Sequence, residues 1–376
     1  MVKFRPVSTQ VRFSPFSLER GLGEYRWTEG GQPKGFNLID KLMNDIKTYP
    51  GNKLIIMLQI KQFSFGQVVP NYMRTAAYAD PSAPSNADYY GSYRYQSVNN
   101  PSSGGYVVSL HIPAVLERFK ALLNALATEY DGNDQLEAII VNEVSINKPF
   151  AFAWTAAQRK GWFNNLTAAY AFAKTKFLRT GLLQFFNSDR SDMSTWVSGD
   201  LTGFIPGIVN LGVGLGMTDG CRNDLAFQFV PAGQGPAPNS NNPGSIFIIK
   251  RYNTKVQVVV NMSGPAQVGS IAAFGQVAEA DGIPEYTFPG PAYTRQENQN
   301  WARDEIGAHY VLWMADSHIY GPTYSVNGNN YTVANIPSDT ASGSYSGKSF
   351  DKVTTNWLNH SASNTSTVTT KPTSWT

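Results

Sequence analysis

Leu136-Glu137-Ala138-Ile139-Ile140-Val141-Asn142-Glu143 is the stretch that decides how this chain is read. Its apolar run has the look of a buried strand, and it ends in an amide followed by a carboxylate. A lone ionisable group at the end of such a strand is costly to bury. It is poorly placed for packing and well placed for chemistry. In a (β/α)8 barrel the carboxyl end of a strand opens onto the active site. The fold therefore turns on whether the rest of the chain supplies similar strands in series.

Working outward from that strand, short apolar runs alternate with helical patterns up to about residue 316. Upstream, Val11-Arg12-Phe13-Ser14 is a short strand, and Leu38, Ile39, Leu42, Met43 and Ile46 repeat at helical spacing. Residues 53–60 (KLIIMLQI) form a strongly apolar strand. A helix starts near Pro113, a residue favoured in a first turn, with the stripe Val115, Leu116, Phe119, Leu122, Leu123 and Leu126. Downstream, a helix is expected over 155–177, a strand at 182–187 (LLQFFN) and an irregular helical segment, broken by Gly and Pro, over 194–210. Further strands read at 212–219 (GVGLGMTD), 256–262 (VQVVVNM) and 309–316 (HYVLWMAD), with a helix near 296–308.

Continuous apolar strands alternating with helices imply a parallel sheet covered by helices. The expected class is α/β, a (β/α)8 TIM-type barrel that is one strand short. The deficit falls at the N-terminus: the first strand is residues 4–8, or it is missing from this chain. A doubly wound sheet is the alternative architecture. Residues 1–318 are expected to form the barrel domain, and 319–376 an irregular or β-rich extension ending in a flexible tail. Two long loops stand out. Residues 63–106 are rich in Tyr, Ser, Asn, Gly and Pro, and in a barrel they lie over the catalytic face; residues 231–245 (PAGQGPAPNSNNPGS) are low in complexity.

Composition narrows the function. The chain has 376 residues, 42% of them hydrophobic and only 15% charged, with Gly, Asn, Ser, Thr and Tyr carrying much of the surface. That balance suits an extracellular or virion-associated protein. A net charge of +3 without a dense Lys/Arg patch argues against a nucleic-acid partner. No apolar run reaches the ~18 residues that span a bilayer, and no signal peptide is visible. Cys221 is the one cysteine, so there is no internal disulfide framework. The four histidines, His111, His309, His318 and His360, lack metal-ligand spacing. The run Gly212-x-Gly214-x-Gly216 lacks the Lys and the spacing of a nucleotide loop. No metal or cofactor is expected.

The order of these elements resembles bacterial glycoside-hydrolase-like barrels, and the Asn142-Glu143 pair resembles the strand-four signature of the large clan of retaining (β/α)8 glycosidases. Matching stretches include Val11 to Glu19, Tyr25-Arg26-Trp27, Phe36 to Asp40, Leu54 to Gln59, Val69-Pro70-Asn71-Tyr72, Gly212 to Asp219 and Trp313. Each is short, and together they spread over residues 10–316. The resemblance implies Glu143 as general acid/base, Asn142 on a sugar 2-hydroxyl, Trp313 as the floor of a sugar site, and polysaccharide as the partner. It also implies a nucleophilic carboxylate at the end of the seventh strand, where this chain has Asn261. An amide cannot form the glycosyl-enzyme ester.

Glu143 therefore needs a second acid. Asp219 is the first candidate, Asp316 the next, and Glu279, Glu285 and Glu19 stand behind them. Asp219 precedes Gly and reads equally as an ordinary turn residue, and Asp316 reads as a turn cap with Ser317. Arg12 is either the cationic partner of Glu143 or a substrate contact. Gln59, Asn142, Arg12, Trp313, Asn261 and Asp316 complete the expected substrate-binding set. The Tyr-rich loop either stacks sugars or packs on itself or a neighbouring subunit. Two functions follow: a glycoside hydrolase acting on polysaccharide, or a non-catalytic carbohydrate-binding or structural protein, assembling with copies of itself or other subunits, on a degenerate barrel.

Overall fold

The computed structural model of the protein describes residues 9–13, 15–47, 53–62, 66–96, 104–142, 144, 146, 149–186, 201–217, 249–262, 277–278, 284–285, 301–313, 323–326 and 329–332. Glu143, Asp219, Asp316, Cys221, residues 4–8 and the 231–245 loop lie outside that set. The chain divides into two compact units, chiefly Val7–Gly214 and Leu215–Thr373.

Among the described residues of the first unit, four parallel strands alternate with the four longer helices. They are β1 (Thr9–Phe13), α1 (Phe36–Lys47), β2 (Leu54–Gln59), α2 (Pro113–Tyr130), β3 (Leu136–Asn142), α3 (Ala156–Lys174), β4 (Gly181–Phe186) and α4 (Leu201–Asn210). The strands are parallel and lie in chain order, β1 beside β2, β2 beside β3 and β3 beside β4. Doubly wound sheets reverse strand order at a switch point. No reversal occurs here, so the architecture is that of a (β/α)8 half-barrel. Right-handed crossovers between strands in this order put every helix on one face. In agreement, α2 packs on α3 and α3 on α4, with the Phe163 and Phe204 rings 5.2 Å apart.

The helices form where the apolar spacing demands. In α1, Phe36, Ile39, Met43 and Ile46 are buried at intervals of three, four and three residues, one face of a helix. Helix α2 begins on Pro113, whose missing N–H would be unsatisfied in any first turn, and every member of its predicted stripe is buried. Helix α3 opens with a capping box, Gln158 N donating to Thr155 Oγ1 and Thr155 N to Gln158 Oε1. Strands β2, β3 and β4 are buried on both faces, as in a sheet with helices outside and side chains filling the interior. The doubled burial explains their unbroken apolar runs.

The second unit holds three more parallel strands in chain order: β5 (Gly214–Met217), β6 (Val258–Met262) and β7 (Tyr310–Trp313). A π-helical turn, Trp301–Ile306, leads into β7. In the C-terminal region, Thr323–Val326 pairs antiparallel with Asn329–Thr332.

The long segment after β2 is more ordered than its composition suggests. Lys61–Gln62, Gly104–Val108 and Ser92–Gln96 form a three-stranded antiparallel sheet, and Tyr95 bridges on to Pro149 in the segment after β3. Tyr89, Tyr93, Tyr95 and Tyr106 are buried in it. Three of their hydroxyls are spoken for: Tyr93 donates to the Ile146 carbonyl, Tyr95 to the Gln62 carbonyl at 3.2 Å and Tyr106 to Asp88 Oδ1 at 2.7 Å. These rings pack the loop on itself.

Candidate functional site

Register fixes what meets at the carboxyl ends of the first unit's strands. Arg12, Met57, Ile140 and Leu183 share one level; Phe13, Leu58, Val141 and Gln184 share the next; Gln59 and Asn142 face each other on the last. Side chains alternate along a strand. Gln184 accepts a hydrogen bond from Tyr170 of α3, so its level faces the helices. Gln59 and Asn142 therefore face the opposite side, the interior of a barrel. Asn142 is buried, and Gln59 is half-buried with its amide donating to Gln62 Oε1 at 3.3 Å. Of Arg12 only the strand position is described, two residues below the Gln59 level and of the same parity.

Just past Gln59 sits Lys61, which composition alone did not single out. It is 5% exposed, and its ammonium lies 5.0 Å from the centre of the Tyr95 ring. A cation so buried needs partners to hold it, and the Tyr95 ring is one of them. Its signal in the sequence was a lysine directly abutting an apolar strand. Beyond Asn142, Val144 and Ile146 are buried, so the chain on either side of Glu143 stays inside.

In the second unit Asn261 occupies the penultimate position of β6, opposite Leu312. It is fully buried, and among the described residues neither its Oδ1 nor its Nδ2 has a hydrogen-bond partner. Leaving a buried polar group unsatisfied costs about 1–3 kcal/mol, so an aliphatic residue would serve packing better there. The last residue of β7 is Trp313, opposite Met262. His309 is held by Val258 N, which donates to its Nδ1 at 3.0 Å, and burial lowers its pKa. Among the described residues no cluster of His, Cys, Asp and Glu is built to hold a metal, and no helix is long and apolar enough to cross a membrane.

Two polar clusters brace the loops of the first unit. Glu19, a reserve candidate for the second acid, is buried against Arg118 of α2: its Oε1 accepts from Arg118 and, at 2.9 Å, from Gly23 N. Its Oε2 accepts from Tyr72 at 2.8 Å. The described geometry gives Glu19 a bracing role, because both oxygens are engaged.

The second cluster centres on Asp80. Its Oδ2 meets His111 Nε2 at 2.7 Å and Gln158 Nε2 at 2.9 Å, and its Oδ1 accepts from Ser82 N and Oγ. Burial works to raise the Asp80 pKa, but the bonds from His111 and Ser82 outweigh it and hold the carboxyl well below its usual range. A depressed carboxyl contributes stability above its unfolded value that is lost as pH falls through the folded one. Wild type is therefore expected to lose stability more steeply than Asp80→Asn below about pH 4. Urea midpoints for both proteins across that range check this.

No family model matches the sequence, and no curated protein does. Among solved structures the chain is similar to endo-glycoceramidase II from Rhodococcus sp., captured as a lactosyl-enzyme intermediate, at 13% identity and a TM-score of 0.40; 81% of this chain and 64% of that chain are covered. It is also similar to a β-galactosidase from the psychrophilic Marinomonas ef1, at 11% identity, TM-score 0.43, covering 81% of this chain and 49% of that one. A third likeness is Fpglu1 from Fervidobacterium pennivoraus, at 10% identity, TM-score 0.38, covering 67% and 62%. The chain thus spans between about half and just under two thirds of the solved chains it matches.

Proposed function

We propose that this protein engages polysaccharide at the carboxyl ends of its parallel strands and hydrolyses glycosidic bonds there, with Glu143 as general acid/base. The observation that supports this most is the in-register pair Gln59 and Asn142, two amides on adjacent strand ends facing the interior, with Glu143 next in sequence. Amides in such a place are suited to sugar hydroxyls, since each both donates and accepts. Asp219 is the second carboxylate we assign, followed by Asp316. Their separation from Glu143 decides the stereochemistry: about 5–5.5 Å for retention and about 6.5–9.5 Å for inversion. Arg12 and Trp313 complete the proposed site. The low charge content supports a location outside the cell or on a virion.

A second reading has its own observation. Asn261, a buried amide, stands where the resemblance calls for a nucleophilic carboxylate. The buried loop tyrosines favour the same reading, a glycan-binding or structural protein without hydrolysis. Incubation with a broad polysaccharide panel separates the two. New reducing ends support the enzyme, glycan binding or self-assembly without release supports the second reading, and the absence of release, binding and self-assembly together overturns both.

A further inference from the structure

Among the described residues the β3–β4 ladder ends before its strands do. The last paired residues are Val141 and Gln184, yet β3 continues to Asn142 and β4 to Phe186. The side chain of Gln184 sits at that split. It is fully buried in a strand that is otherwise apolar (GLLQFF). Its Nε2 donates to the Val141 carbonyl at 3.0 Å and to the Phe185 carbonyl at 2.7 Å. One amide group thus bonds a carbonyl on each strand. Its Oε1 accepts from the hydroxyl of Tyr170 at 2.7 Å, and Tyr170 is buried in α3.

A buried amide is costly unless it is bonded. An aliphatic residue would fill the same space, but it would remove the amide's hydrogen bonds to both carbonyls. The amide is a wedge, oriented by a tyrosine that a whole helix holds in place. We infer that the Tyr170–Gln184 pair is a positioning device: it holds β3 and β4 apart at their carboxyl ends and fixes the backbone that presents Asn142 to the interior. Gln184 faces the helices, behind Asn142, so it acts through the main chain and touches no ligand. The functional consequence rests on the proposed glycan site, while the structural one stands without it.

The test is amide hydrogen exchange in Gln184→Met, a variant of similar volume that deletes the donors. Losing them is expected to speed exchange at Asn142 by about tenfold, with the amides of Ile55 to Leu58 in β2 unchanged. Affinity for the bound polysaccharide, or kcat where there is turnover, falls by a similar factor. Gln184→Glu gives an independent reading. Its buried carboxyl keeps the acceptor for Tyr170 and, when protonated, recovers one donor. Exchange at Asn142, normalised to wild type at each pH, should be near normal in acid and faster once the carboxyl ionises. This variant decides the matter if the methionine protein does not fold. Unchanged exchange at Asn142, or an acceleration spread evenly over β2, β3 and β4, overturns the inference. Local acceleration in a protein that binds no glycan upholds the wedge and refutes the glycan reading instead.

Discussion

Glu143→Gln is expected to lower the rate of reducing-end release by a hundredfold or more, with KM little changed. The substitution keeps size and polarity and removes only the ability to give and take a proton. General acid–base catalysis by one positioned group contributes about 10²–10⁴-fold, and that share is what the amide forfeits. Leaving KM in place is part of the expectation, because an isosteric amide still hydrogen-bonds a sugar. The neighbours of Glu143 in sequence, Asn142 and Val144, are both buried. Steady-state kinetics on the best substrate of the panel check the expected loss. A loss under tenfold would take the acid/base role away from Glu143.

Arg118→Met should destabilise the protein by about 3–5 kcal/mol, the usual cost of stripping one partner from a buried ion pair. The arithmetic rests on Glu19, which is 2% exposed and would keep the neutral donors Tyr72 and Gly23 N but lose its cation. Arg118 also donates through Nε to the Tyr72 hydroxyl at 2.8 Å, so its loss loosens two contacts at once. Burial, followed by the neighbouring Glu19, pushes the Tyr72 pKa up, which keeps its proton available to the carboxylate. An exposed pair makes the contrast: Lys41 and Asp45, 54% and 56% exposed, are worth only about 0.3–0.5 kcal/mol as an i,i+4 pair. Urea unfolding of Arg118→Met, Lys41→Met and wild type tests both figures. A shift for Arg118→Met below about 1 kcal/mol would mean that Glu19 finds solvent or another donor.

Much of the fold was legible because it is written in local periodicity. The run at 53–60 became β2 at Leu54–Gln59, and the stripe after Pro113 became α2 with its predicted face inward. The alternation of continuous apolar strands with helices pointed to parallel strands, and their chain order settles the choice against a doubly wound sheet. What was not legible depends on partners far away in sequence. Tyrosines at 89, 93, 95 and 106 are equally compatible with a sugar platform and with a packed loop; only the pairing of Lys61 with Val107 and of Tyr93 with Val107 decides it. Glu19 looked like any acid after a strand until Arg118, 99 residues on, closed over it. Gln184 was visible as one amide among apolar neighbours, but its purpose appears only where two strands part. The second carboxylate was not legible for a related reason: acids at several strand ends have the same local signature, and the spacing that would choose among them is tertiary.

The site itself is tested most directly by calorimetric titration of the best-bound polysaccharide into wild type and into Gln59→Ala/Asn142→Ala. Two amides that each lose a hydrogen bond to sugar should weaken binding by about tenfold or more, with the thermal midpoint of the double variant recorded alongside to show that the half-barrel is intact. Undiminished affinity in a folded double variant would contradict the account and move the glycan site away from the carboxyl ends of β2 and β3.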